Sequence, residues 1–292
     1  MVQHYPKREG ENSIEQYLAD EFRKLEVNLR KAWSLFDEAA IHDFRVSLKK
    51  LRAVMAFIKK YGLSKQEFGS FLKGLKPVFK SGGRLRDLQV NHQLIRDYEE
   101  KSGNNFVSFR AFISREILLV EEDFKHISKK AIQLSEKLEQ SDLLNGVKAK
   151  ENEIQNASKI FLGKSFKKAL KILLSDIPEK ARFHRIRKIL KKARFVFEMN
   201  IDQEWSTMDH HAHLNSLKDL ESILGTWHDS ISFQVELKSY LGGMNDPEAD
   251  YPETYQALLW QIDSDIHEQL LGFEDLFMKE YHWFLQLSYR LD

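Results

Sequence analysis

The chain has 292 residues, 42% of them hydrophobic and 30% charged, with a formal net charge of +1 and no cysteine. That length and apolar content support a sizeable core, either as two domains or as one domain built from two halves. The lack of cysteine excludes a disulfide framework and thiolate metal sites, and no apolar run reaches the roughly 18 residues of a membrane span.

Residues 1–11 are polar and lack the apolar stretch of a signal peptide, so a reducing compartment, most simply the cytoplasm, is expected. Ser13 offers an N-cap, and with Gln16 a capping box, for a helix over about 14–36. Leu18, Phe22, Leu25 and Leu29 recur along it at helical spacing. After a break near Asp37, a basic helix is predicted over about 41–61, stopped by Gly62. A third helix over about 64–80 is expected to close at Ser81-Gly82-Gly83. A fourth runs from about Arg86 to Ser102, and a fifth spans about 106–140 with Phe109, Phe112, Ile113, Ile117 and Val120 in register.

The second half is read as helices over about 148–174, 179–200, 206–224, 228–242 and 252–289. Pro178 stands where the first turn of the second of these begins. No segment alternates polar and apolar residues between turn signals, so no strand is predicted and the fold class is all-α.

The basic helix repeats. Ile41-His42-Asp43-Phe44-Arg45-Val46-Ser47-Leu48-Lys49-Lys50-Leu51-Arg52 returns 142 positions later as Phe183-His184-Arg185-Ile186-Arg187-Lys188-Ile189-Leu190-Lys191-Lys192-Ala193-Arg194. Leu75-Lys76 matches Leu217-Lys218, Gly83 matches Gly225, and Arg86-Asp87 matches His228-Asp229, all at that same offset. Agreement at one offset without gaps indicates an internal duplication, with halves over about 12–140 and 148–290 packed as pseudo-symmetric units of one domain over 12–290.

On a helix of about 100° per residue, His42, Arg45, Lys49 and Arg52 fall in a stripe about 80° wide. Phe44, Leu48, Leu51, Met55 and Ile58 take the opposite side. The second copy places His184, Arg187, Lys191 and Arg194 in the same way. Like charges at these spacings repel by a few tenths of a kcal/mol per pair, and no carboxylate lies on either stripe between its ends. A polyanion site accounts for this cost. Arg offers paired donors to phosphate oxygens, Lys a mobile charge, and His an N–H that gains charge near an anion. The turn read at Gly83–Asp87 adds Arg84 and Arg86 beside a helix N-terminus, with Lys76 and Lys80 before it. Asp87 and Asp229 are read as helix caps or as groups that orient an Arg.

Charge is unevenly distributed. Twelve Lys or Arg stand between Lys164 and Arg194 against Asp176 and Glu179, and eleven Asp or Glu between Asp246 and Asp292 against Lys279 and Arg290. An acidic outer segment beside one open basic face fits both runs.

Other constellations carry less. His210, His211 and His213 lack a Glu-x-x-His partner and read as a surface cluster rather than a metal site. His42-Asp43 and His228-Asp229 resemble the doublet of all-helical metal-dependent phosphohydrolases. However, the positive field of Arg45, Lys49 and Arg52 opposes a metal there. No Gly-rich phosphate loop or Gly-x-Ser-x-Gly elbow occurs, and the aromatic residues form no stacking platform for bases.

Together, His-x-x-Arg-x-x-x-Lys-Lys-x-Arg, Gly-x-x-Arg-Asp about thirty residues on, the second basic copy and its Leu-Gly-x-x-x-Asp resemble the CHAD family (conserved histidine α-helical domain), over about 12–290. The resemblance implies two four-helix bundles related by a pseudo-twofold with a basic groove between them, and non-catalytic binding of inorganic polyphosphate. Carried over, the contacting residues are His42, Arg45, Lys49, Arg52, His184, Arg187, Lys191 and Arg194, with Arg84, Arg86, Lys76 and Lys218 added. Thr226 and His228 replace Arg84 and Arg86 in the second copy, which makes that loop less basic. No segment resembles the triphosphate-tunnel domain attached to many relatives, so catalysis by that route is not expected. Neither a cofactor nor a metal is expected, and the place expected is the cytoplasm, at polyphosphate granules. The alternatives are nucleic-acid or other polyanion binding by the same surface, or a His-dependent phosphohydrolase or phosphotransfer enzyme.

Overall fold

The computed structural model describes residues 13–63, 69–139, 150–201, 208–243 and 252–289. Among them every regular element is a helix: α1 (Ser13–Leu35), α2 (Glu38–Lys60), α3 (Gly69–Gly74), α4 (Lys76–Ser102), α5 (Val107–Glu139), α6 (Glu151–Leu173), α7 (Glu179–Ile201), α8 (Met208–Gly242), α9 (Glu253–Glu268) and α10 (Phe273–Leu287). No helix among the described residues is long and apolar enough to cross a membrane. The Ser13 side chain, read as a cap, lies outside the described residues, as does most of the stretch expected to begin the third helix.

The basic helix α2 starts three residues earlier than its periodicity suggests. Asp37 caps it, accepting the Ala40 backbone N–H at 2.6 Å, which satisfies a donor left free by the first turn. Gly62, at φ +68°, and Gly103, at φ +71°, follow α2 and α4 as left-handed C-terminal residues.

Three boundaries differ from the sequence reading. Gly82 and Gly83 do not end a helix; α4 runs through them to Ser102. Consequently Arg84 and Arg86 stand beside no helix N-terminus, and Asp87 caps none. Both glycines are buried and neither has positive φ. A Cβ on Gly82 would come within 2.6 Å of Phe44 and 3.1 Å of Phe124. The glycine is therefore there for close helix packing, which offsets its helix penalty of about 1 kcal/mol. Likewise α8 is continuous from Met208 to Gly242, although two helices were expected there. The predicted final helix is two, divided at Gly272, whose φ is +76°.

Contacts give the architecture. In the first half α1 packs on α2 and α5, and α4 on α2 and α5, closing a four-helix ring with α3 against α4 and α5. In the second half α6 packs on α7 and α10, and α8 on α7, α9 and α10, so the fourth arm of an equivalent ring is the broken pair α9–α10. Between the halves α2 meets α7 and α4 meets α8. Those helices are copies of each other at the 142-residue offset, and self-pairing of equivalent elements is what a twofold relation produces.

The apolar cores cross the sequence boundary. One holds Phe44, Leu48 and Phe124 together with Val196 and Met199 from α7. The other holds Phe166, Trp227 and Phe277 together with Leu88, Phe106 and Phe109 from the first half.

Candidate anion-binding site

On α2, Phe44, Leu48, Leu51, Met55 and Ile58 are all buried, as their spacing requires. The opposite stripe leaves His42 exposed and Arg45, Lys49 and Arg52 half-buried. On α7, Ile186, Leu190, Ala193 and Phe197 go inward, and His184, Arg187, Lys191 and Arg194 are half-buried. Because α2 packs against α7, the two stripes converge. Burial lowers the Lys49 amine to a pKa of about 7, and Lys191, Arg45 and Arg187 push the same way against Glu221. Cations from sites 142 residues apart are thus concentrated in one place.

The two inner arginines are held by backbone. Arg45 Nη1 donates to the Phe79 carbonyl at 2.9 Å, and Arg187 Nε to the Leu224 carbonyl at 3.1 Å. Gly83 makes the first approach possible, since a Cβ there would lie 2.5 Å from Arg45 Nη1; at Gly225 the nearest guanidinium nitrogen of Arg187 is 4.0 Å away. Burial lowers the Arg45 pKa, with Asp87 opposing the shift and Arg86 adding to it. Asp87 is open to solvent on one side. Desolvation raises its carboxyl pKa, with Asp229 adding to the shift and Arg45 and His228 opposing it.

The outer arginines differ between the copies. Arg45 and Arg52 both lie over the Phe79 ring, their guanidinium carbons 4.9 and 4.8 Å from its centroid. Phe79 plus 142 is Glu221, and that carboxylate engages Lys191 at 2.6 Å and Arg194. Arg194 also meets Glu198 at 3.0 Å, Glu198 meets Lys50 at 2.7 Å, and Lys50 reaches Glu21 at 3.5 Å. A string of alternating charges therefore ties α1, α2, α7 and α8. Burial alone would raise the pKa of Glu221, yet Lys191 and Arg194 hold it below the usual carboxylate range. Neither α7 cation is free: Glu221 reaches both from α8, and Glu198, one turn beyond the repeated motif on α7 itself, also engages Arg194. Phe79 and Glu221 escaped the sequence reading; each stands one turn before the repeated glycine, on the same face.

His42 Nδ1 lies 3.1 Å from Asp43 Oδ1 in an exposed pair. His184 instead stacks on His228, rings 5.5 Å apart and 22° from parallel. Burial lowers the pKa of His184, helped by Lys188, His228 and Arg187. His228 therefore joins the cluster, and its alignment with Arg86 is the signal that marks it.

Of the remaining predicted residues, Arg84 belongs to the interface between halves. It meets Glu236 on α8 through two nitrogens at 2.5 and 2.8 Å, with Glu116 at 3.8 Å. Arg86 reaches Glu38 at 3.5 Å. Lys76 and Lys218 are exposed. The surface histidine cluster needs correction at His213. This side chain is only 12% exposed, stacks 3.8 Å from the Trp283 ring and meets the fully buried Glu280 at 2.7 Å. Among the described residues no group of three or more His, Asp or Glu is placed to hold a metal ion.

Comparison with known proteins adds the following. A family model, the CHAD domain, matches residues 16–238. The crystal structure of the CHAD domain from the plant Ricinus communis resembles this chain with a TM-score of 0.70 at 16% identity, over 92% of this chain and 90% of that one. PptA from Streptomyces chartreusis does so with a TM-score of 0.59 at 14% identity, over 92% and 98% respectively. At these identities the likeness is one of fold. No curated protein sequence matches the chain.

Proposed function

The chain belongs to the CHAD domain family, and from that membership and the cations gathered between α2 and α7 we propose that it binds inorganic polyphosphate without turning it over. The supporting observation is Lys49, whose amine is held near a pKa of 7 by burial beside Lys191, Arg45 and Arg187. Mutual repulsion makes this arrangement costly, and a bound polyanion offsets it with attractions that favour the charged form of each group. A linear chain of phosphates has the repeat and charge to touch His42, Arg45, Lys49 and Arg52 on one helix and His184, Arg187, Lys191 and Arg194 on the other. In this reading the histidines are hydrogen-bonding rungs and catalysis has no residue assigned to it. Its setting is the cytoplasm, at polyphosphate granules.

The test is equilibrium binding of long-chain polyphosphate at two salt concentrations, to wild type and to Arg45→Glu with Arg187→Glu. Affinity should fall steeply with salt, by analogy with counterion release from nucleic acids. The double variant should lose binding while its helical circular dichroism persists. Undiminished affinity in that variant overturns the site. Displacement by DNA or RNA as readily as by polyphosphate would favour a general polyanion binder. Release of free phosphate with Mg²⁺ would make it an enzyme.

A further inference from the structure

We propose that Glu221 is a built-in competitor for anions, occupying the second half of the site and leaving the first half as the stronger phosphate-binding half. This rests on the polyphosphate reading above and concerns how the two copies share the ligand.

The two halves carry the same cations but differ in what lies against them. Against α2, the Phe79 ring supports Arg45 and Arg52 at 4.9 and 4.8 Å and adds no charge. Against α7, Glu221 stands at the equivalent position and spends both carboxylate oxygens, one on Lys191 at 2.6 Å and one on Arg194. These cations are three residues apart on one helix face. A carboxylate spanning them makes the charge-assisted bonds that two oxygens of a phosphoryl group would make there. Arg194 has Glu198 as a second partner at 3.0 Å, so phosphate at this end must displace an existing, half-buried ion pair. At the first end it meets Arg45 and Arg52 over the Phe79 ring, Arg45 also bonded to the Phe79 carbonyl, with Asp87 as the nearby carboxylate. Glu221 stays ionised through neutral pH, because Lys191 and Arg194 hold its pKa down against burial, so the competition is permanent. Its charge also partly relieves Lys49, which lets both basic helices pack closely in the ligand-free protein.

The experiment measures binding of long-chain inorganic polyphosphate to wild type, Glu221→Gln, Phe79→Glu and Phe79→Gln at low and moderate salt. Glu221→Gln keeps the shape and removes the charge, and Arg194 keeps Glu198. It should bind about 3- to 10-fold more tightly at low salt, with a salt slope steeper by about one unit. Phe79→Glu should weaken binding by at least as much as Glu221→Gln strengthens it. Phe79→Gln separates loss of the ring from gain of charge, and should fall between wild type and Phe79→Glu. Unchanged or weaker binding by a folded Glu221→Gln overturns the proposal. So does equal affinity of the two Phe79 variants, which decides the matter even if Glu221→Gln unfolds. A wild type that does not bind polyphosphate at low salt overturns the functional reading, and this inference falls with it.

Discussion

Lys49 shows how far a single residue can be read from sequence. Its place on a basic stripe follows from spacing within α2. Its lowered basicity does not, because it comes first from burial in the packed molecule and then from cations on α7 as well as on its own helix, with Glu221 on α8 opposing them. Lys191 and Arg187 face it from α7, Arg45 from α2, Glu221 from α8, and Asp87 senses it from α4. The consequence for pH has a definite sign. The folded amine titrates at about 7, against 10.5 ordinarily, so between those values the unfolded chain holds more protons than the folded one. Stability of the ligand-free protein should then rise as pH climbs through that window. Anion binding needs the charged amine, so affinity should move in the opposite direction. We expect the melting temperature to increase and polyphosphate affinity to decrease between pH 6.5 and 8.5. Lys49→Met should flatten both trends. Parallel pH profiles for the two proteins would remove Lys49 from this role.

At the scale of the element, the sequence marks helices well and misjudges what punctuates them. The repeat drew attention to Gly83 and Gly225 but as breaks, which they are not; a glycine in a helical pattern has two meanings that local rules do not separate. One is a left-handed stop, as at Gly62, Gly103 and Gly272. The other is a place where something must come close, as Phe44 does at Gly82 and Arg45 at Gly83. Only the packed neighbour decides, and it comes from another helix. Alanine substitutions should sort the glycines accordingly. Gly82→Ala overpacks two aromatic rings and should cost about 1–3 kcal/mol. Gly83→Ala displaces the flexible end of Arg45, so stability should change little while polyphosphate affinity falls several-fold. Gly225→Ala has room, and should gain roughly 0.5–1 kcal/mol from improved helix propensity. Thermal unfolding and binding measured on the three variants check this order; a Gly83→Ala protein that binds like wild type contradicts the close-approach account.

For the whole molecule, the duplication was legible because two basic motifs and their glycines repeat at one offset. The sharing of cores was not, since an apolar residue in register looks the same whichever bundle it enters. Phe109 lies on α5 in the first half, yet it is fully buried among Phe233 and Tyr240 of the second, with ring centroids 5.8 and 5.1 Å away. Val196 and Met199 make the reverse crossing. The Arg84–Glu236 pair and the charge string through Lys50 and Glu198 tie the halves further. Two bundles joined this way have no boundary along which one can open alone, so unfolding should be a single transition. Trp33 reports on the first core, and Trp227 and Trp283 on the second. Their fluorescence and far-ultraviolet circular dichroism should trace the same midpoint. Phe109→Ala should cost about 3–5 kcal/mol and lower that midpoint in every probe, including those sensitive to the first bundle. Two separate transitions, or a Phe109→Ala effect confined to one of them, would mean that the bundles are independent. The cation cluster between α2 and α7 would then depend on a docking equilibrium rather than on the fold itself.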